Sequence, residues 1–478
     1  LIVLALGLVG IFILPWFIPF RQPVNSLSYT YGFNNTAAWI AVAALLGLIC
    51  LFRLWKTDAP GTNTVDRMLS STIAEDPAVT YPHLLAAFLA VAVIGAALQL
   101  LRYTILPSND FGEASQHTAR LDLMLLGQKP HIDFHYNFGP GMLYAAFGLF
   151  RLGAGAISID SAHCMTLMAD WVIGIFLLYY VVKHLGGEFS KTAVFLCVCL
   201  LYLTPAMMAY QYTPTRHFLP LASLLIAHRF RAAFGIAMVA AILLPLGAMA
   251  FSPDAGIATT AALLAYFIAL VRTPLRRYSL GALACGGAAA LGLTAFGTAY
   301  LDSIRSYSSS VSALPVFPTL TVLVFLAAVF AIVPVFACLG LHLRTPAGSL
   351  ALGMAIVLGL EVPPALGRCD LMHISWNGAG ILLVALAVLT TGRRRAWPSN
   401  RTLRLPDRLS VVLPIRHDVA QLWRCGVALS PRGRCPHRSW RRGHPAGRRP
   451  RSRVRTPGPF PLHEVQALRA RSAGSPAL

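Results

Sequence analysis

The side chains best suited to chemistry gather in the segment Ser108–Gly153. Counted at helical spacing from Asp110, the residues Glu113, His117 and Arg120 fall on one face. Phe111, Ala114, Thr118, Leu121 and Leu125 fall on the other. Asp110 and Glu113 are also spaced as a capping box, with Asp110 at the N-cap and Glu113 at N3, and periodicity alone favours that role. Downstream, His131, Asp133 and His135 alternate. An extended strand would point all three one way, as metal ligands require. No fourth ligand stands nearby, so hydrogen bonding within the loop is the stronger expectation. No metal site is assigned, although a divalent ion is not excluded.

Other ionisable residues have plainer explanations. Asp254, in Ser252-Pro253-Asp254, is placed as a helix N-cap. Asp302 and Arg305 are spaced to pair one turn apart. Glu361 precedes Pro363-Pro364 at a helix end, where a carboxylate can reach water. Arg368, Asp370 and His373 read as an exposed loop with an internal ion pair of little worth.

These residues must be positioned by membrane helices. The chain is 56% hydrophobic and only 12% charged, far from the balance of a soluble domain. A spanning helix needs about 20 mostly apolar residues. Such runs are Leu1–Phe20, Ala37–Leu54, Leu84–Leu106, Met165–Val182, Ala193–Tyr210, Ala232–Phe251, Ala255–Val271, Leu280–Tyr300, Leu320–Leu343, Ser349–Val362 and Ile374–Leu389. With the shorter Phe218–Ala227, the expectation is an all-α polytopic membrane protein of about 12 helices. Barrel strands alternate and are half as long, so a barrel is excluded for these runs. Leu1–Phe20 lacks an A-x-A-like cleavage site and is expected to remain as a helix. The nine cysteines are scattered without a C-x-x-C pair and read as small apolar residues.

Orientation follows from Lys and Arg in the short loops. With Arg53, Lys56 and Arg67 inside, alternation puts Lys183, Lys191, Arg229, Arg231, Arg272, Arg276, Arg277, Arg344 and Arg393–Arg395 on the same side, provided that Phe218–Ala227 spans. Asp110, Glu113, Arg216, His217, Asp254, Asp302, Arg305, Arg368, Asp370 and His373 then share the outer face. Between them, the stretch from Asp110 to Leu125 reads as an amphipathic helix lying in the outer membrane interface. Gly127 ends it, close to Lys129-Pro130.

The order of motifs here resembles the GT-C superfamily of integral-membrane glycosyltransferases, which use polyprenyl-phosphate sugars, as the dolichyl-phosphate-mannose mannosyltransferases do. The likeness rests on Asp110 and Glu113 outside an early helix, on Gly127-Gln128-Lys129-Pro130-His131-Ile132-Asp133-Phe134, and on Phe138-Gly139-Pro140-Gly141. The late stretch Arg368-Cys369-Asp370-Leu371-Met372-His373 is similar to the family's "R-x-D-x-x-H". The family places its acidic loop after the first helix, whereas here two more helices come before it. Its soluble periplasmic domain after the last helix has no counterpart in this sequence.

By resemblance, Asp110 is the general base that activates an acceptor hydroxyl, with Glu113 second. His117, Arg120 and Asp133 would contact substrate. Arg216, His217, Arg305, Arg368, Asp370 and His373 would hold the departing phosphate or the sugar. The resemblance also implies inversion, a lipid-linked donor, and an envelope glycan, lipid or protein as acceptor. The expected setting is the inner or plasma membrane, with the active face outside the cytoplasm. A transporter or lipid-linked-glycan flippase is the rival reading, disfavoured by a midplane nearly free of charge and by the lack of an internal repeat.

The expected organisation is an N-terminal helix pair and cytoplasmic loop (1–83), a GT-C-like transmembrane catalytic domain (84–391) and an Arg/Pro-rich disordered tail (392–478). The formal net charge is +21, yet the tail has no Lys and sets its many Arg against only Asp407, Asp418 and Glu464. Most of the excess lies there, so nucleic-acid binding is not assigned to the protein. A basic arm on anionic lipid and translation in a shifted frame both fit that composition.

Overall fold

A computed structural model describes residues 2–19, 27–56, 64–73, 81–105, 112–134, 136, 138–154, 156–187, 189–206, 213–308, 314–367 and 369–396. The helices are α1 (Ile2–Phe12), α2 (Leu27–Thr30), α3 (Asn35–Lys56), α4 (Thr64–Thr72), α5 (Pro82–Ile105), α6 (Gly112–Leu125), α7 (Pro140–Leu152), α8 (Ile159–His184) and α9 (Lys191–Ala206). They continue as α10 (Thr213–Arg229), α11 (Phe234–Phe251), α12 (Pro253–Ala269), α13 (Leu280–Ser308), α14 (Leu320–His342), α15 (Pro346–Leu360), α16 (Val362–Leu366), α17 (Leu371–Asn377) and α18 (Ala379–Ala396). No sheet occurs among the described residues; the one bridge joins Pro130 and Phe134.

Among the described residues, eight helices are long and apolar enough to cross a membrane, or nine if the bent pair α17–α18 counts as one span. The protein is therefore an all-α, multi-pass membrane protein. That number falls short of the dozen expected, for local reasons. The run Leu1–Phe20 breaks after Phe12, where Pro15 sits in a short 3-10 turn, Leu14–Trp16. The apolar part of α9 extends only over Lys191–Leu201. Helix α10 has 17 residues and opens with Thr213, Arg216 and His217, too polar for a span by composition. The outward faces are apolar, with Val93 68% and Leu283 75% exposed, which suits lipid rather than water.

The centre is built by α8, α10, α12, α14 and α15, each packed on at least one of the others. Their buried side chains, from Ile175 and Leu221 to Phe336 and Met354, form one continuous cluster. Helix α10 carries Arg216 and His217 at one end and Arg229 at the other, roughly 20 Å apart at 1.5 Å per residue. The Arg229 end meets Tyr278, which follows Arg277 and donates its hydroxyl to Ala232 O at 2.9 Å.

Between α17 and α18 the chain turns by 82° at Gly378. A Cβ there would lie 2.3 Å from the Phe325 ring, so only glycine lets this joint press against α14.

Candidate functional site

The loop after α6 is a tight turn, in place of the extended stretch expected. The Asp133 carboxylate accepts from the Lys129 N–H at 2.8 Å, and the Asp133 N–H donates to Lys129 O at 2.9 Å. His131 takes a left-handed conformation at φ 63° and donates its N–H to Phe134 O. The turn separates the residues that alternation would align. Asp133 faces outward, whereas His131 is only 4% exposed, with Nε2 3.0 Å from Phe138 O and its ring edge-on to Tyr300. His135 lies outside the described residues, and no metal-binding group of three His, Cys, Asp or Glu occurs among those described.

Aromatic rings tie this loop to α6 and α8. His117 Nδ1 lies 3.2 Å from the Tyr136 hydroxyl, and its ring stacks on Phe138 and on His163. Burial pushes the His117 pKa down to about 3, and the charges of His163 and Arg120 act in the same direction. The imidazole is thus neutral near pH 7, able to hydrogen-bond but carrying no charge. Arg120 holds its guanidinium 5.8 Å from the centre of the Tyr136 ring.

Phe138 links the loop to the start of α10, where the Arg216 guanidinium lies 5.4 Å from its ring centre. Arg216 Nε and Nη2 meet Asp254 Oδ2 at 2.7 and 2.6 Å, and Ser252 Oγ bonds Asp254 Oδ1. Asp254 is therefore not the N-cap it was expected to be. Ser252 occupies that position on α12, and Asp254 spends its carboxylate on Arg216. Gly139 secures the arrangement by donating its N–H to Phe251 O at 3.0 Å. A Cβ at Gly139 would lie 2.1 Å from Ala250 O, so no other residue fits there without backbone movement.

The last part comes from α17. His217 Nε2 lies 3.0 Å from Asn377 Oδ1, and Asn377 Nδ2 donates to Pro364 O. Arg216, Asp254 and His373 are within electrostatic range of His217. Asp370 caps α17, accepting from the His373 N–H at 2.8 Å and from His373 Nδ1 at 2.7 Å. Asp370 and His373 thus pair within this stretch through hydrogen bonds, while Arg368 lies outside the described residues.

Of the residues expected to act, His117, Arg120, Asp133, Arg216, His217, Asp370 and His373 are described, and His117, Arg216, His217 and His373 join one network through Phe138 and Asn377. Asp133 is at its edge. Asp110 and Arg368 lie outside the described residues. The backbones of Glu113 and Arg305 belong to α6 and α13, but their side chains lie outside them as well.

Sequence reasoning missed one carboxylate, Asp170, and misread the surroundings of another, Glu361. Asp170 sits near the middle of α8 and is 5% exposed. Thr215 Oγ1 donates to its carbonyl at 3.1 Å, and Thr215 also bonds its carboxylate. Oδ1 has no hydrogen-bond partner among the described residues. The signal was an acid inside the apolar run Met165–Val182. Glu361 was expected to reach water. Instead its Oε2 accepts from the Ile381 N–H at 3.2 Å, with Gly380 adding a second backbone bond, and so caps the N-terminus of α18.

Fold and site together define a multi-pass helical membrane protein with a polar network at one end of its bundle. No family model, no curated protein and no solved structure matches the chain.

Proposed function

We propose that the chain is a membrane glycosyltransferase that moves a sugar from a polyprenyl-phosphate donor to a cell-envelope acceptor at the outer face. What supports the reading is the meeting of two motif stretches, Gly127–Gly141 and Asp370–His373, around Arg216 and His217. Asp110 takes the proton of the acceptor hydroxyl as its oxygen attacks the anomeric carbon. The bond from that carbon to the phosphate oxygen breaks, and polyprenyl phosphate leaves with the electron pair. Arg216 uses its Nε and Nη2 edge on Asp254, which leaves the Nη1 edge for a phosphate.

The test is transfer by purified protein in nanodiscs from radiolabelled polyprenyl-phosphate sugars to envelope extracts, with Asp110→Asn alongside. Label should reach an acceptor with the unaltered protein and not with the variant. Near-normal turnover by Asp110→Asn would remove the base assignment.

A second reading, a transporter or flippase, is favoured by two particular observations. Asp170 places an ionisable group inside the bundle, and α17–α18 forms a broken helix with Glu361 at its joint. Solute or lipid-linked-glycan movement in proteoliposomes that Asp170→Asn abolishes, with no sugar transfer, would support it.

A further inference from the structure

The Arg229 end of α10, remote from Arg216, gathers cations where three spans meet. Helices α11 and α13 begin there, and the span Pro253–Arg272 ends there. Residues 228–233 and 270–280 hold Arg229, Arg231, Arg272, Arg276 and Arg277, with no Asp or Glu in either segment. We propose that Arg231 and Arg277 bind the phosphate of an anionic phospholipid whose chains lie along α11 and α13. The proposal rests on neither the transferase nor the transporter reading, because it uses no residue of either.

Tyr278 joins the two segments. Its hydroxyl donates to Ala232 O at 2.9 Å, its buried ring stands edge-on to Phe234, and the centroids are 5.4 Å apart. Arg277 lies across that ring, with its guanidinium 5.1 Å from the centre and Nη2 3.3 Å from the hydroxyl. Arg231 is anchored from the other segment, its Nη1 donating to His228 O at 2.8 Å. Both guanidiniums are thus held at one joint before any anion arrives, which lowers the entropy lost on binding. A guanidinium has five N–H donors, and the bond from Arg277 to Tyr278 takes one. An edge remains to meet two phosphate oxygens.

The other arginines divide into spent and available. Arg272 is spent, since Nη1 and Nη2 donate to Leu341 O and Gly340 O at the end of α14. Arg229 and Arg276 are exposed and add charge. Elsewhere arginines meet acids, Arg53 with Asp66 at 2.8 Å and Arg216 with Asp254 at 2.6 Å. Neither segment here supplies one, so an anion from outside relieves the mutual repulsion.

The surroundings select a lipid over a free anion. A basic cluster at the ends of three spans stands at headgroup level. From it α11 enters the bilayer with Ile236, Val239 and Leu243 exposed, and α13 with Leu280 and Leu283 exposed. Acyl chains cover such side chains, which a free phosphate leaves bare.

The test is titration of the full chain in detergent with phosphatidylglycerol or phosphatidylcholine, read by native mass spectrometry. Phosphatidylglycerol should be retained more tightly, and Arg231→Gln combined with Arg277→Gln should weaken that retention about tenfold. The double variant removes two of 39 Lys and Arg, so diffuse attraction to the Arg-rich tail would barely change. If the double variant is not monodisperse, the single variants decide, each expected to weaken retention about threefold. Equal retention of the two lipids would overturn the proposal, as would a loss under about twofold in the double variant. Full displacement by inorganic phosphate would assign the site to a free anion instead. Tighter retention of a polyprenyl phosphate, lost in the double variant, would make this a donor site and overturn the proposal too.

Discussion

Two acids approach α10 at consecutive residues and end in opposite situations. Asp254 meets Arg216, a hydroxyl from Ser252, and through Arg216 the face of Phe138. Asp170 meets Thr215 and leaves one oxygen without a partner among the described residues. The first carboxylate is consumed in holding the loop, α10 and α12 together. The second has neutral partners only, in the middle of a span, where an ionisable group is costly and is retained for a task. An acid kept in a span without a charged partner is the better candidate for a role in movement or chemistry.

The contrast can be broken most severely at Gly139, which seats the loop beside Asp254. Gly139→Ala should cost about 3 kcal/mol or prevent folding, because the added carbon meets backbone rather than a flexible side chain. Thermal unfolding in detergent measures it, and a normal melting temperature would show that the loop does not depend on this contact.

Acid should act next, through the aromatic side of the same loop. His117 has its pKa lowered to about 3 from an ordinary 6.5. Above pH 6.5 it is neutral folded and unfolded, so its contribution is constant. Below that, the unfolded chain binds a proton that the folded chain refuses, and stability falls as pH drops toward 3. The loss should reach about 2 kcal/mol by pH 5. His117→Gln should flatten that part of the profile, and an unchanged slope would assign it to other groups.

Smaller effects sharpen the comparison itself. Asp254→Asn should destabilise by about 1 kcal/mol, the pair being partly exposed to water. Asp170→Asn should change stability by less than about 0.5 kcal/mol, since the amide oxygen can still accept from Thr215. Chemical-denaturation midpoints of the two variants side by side would decide the matter. Equal destabilisation would mean that Asp170 is as structural as Asp254.

Much of this was legible residue by residue. Apolar runs such as Leu84–Leu106 and Leu320–Leu343 became α5 and α14 with nearly the expected limits, because a spanning helix is specified by its own composition. Glu361 misleads because the backbone it caps belongs to Gly380 and Ile381, on another helix. The alternation of His131, Asp133 and His135 suggests a strand, yet the Asp133 bond to Lys129 and the left-handed His131 curl that segment instead. Asp170 escapes notice because its run is otherwise so apolar that helix propensity masks the exception.

By itself the sequence determined that this is a helical membrane protein, most of the segments apolar enough to span, and which polar residues stand between them. Those properties are local and follow from the cost of exposing backbone and charge to lipid. Only the tertiary structure decided that Arg216 spends its charge on Asp254, that Asp170 retains an oxygen without a partner among the described residues, and that a largely apolar, aromatic-walled cavity opens beside Asp370. Each of these joins residues far apart in the chain, and their pairing is set by how the helices pack rather than by any spacing along one of them.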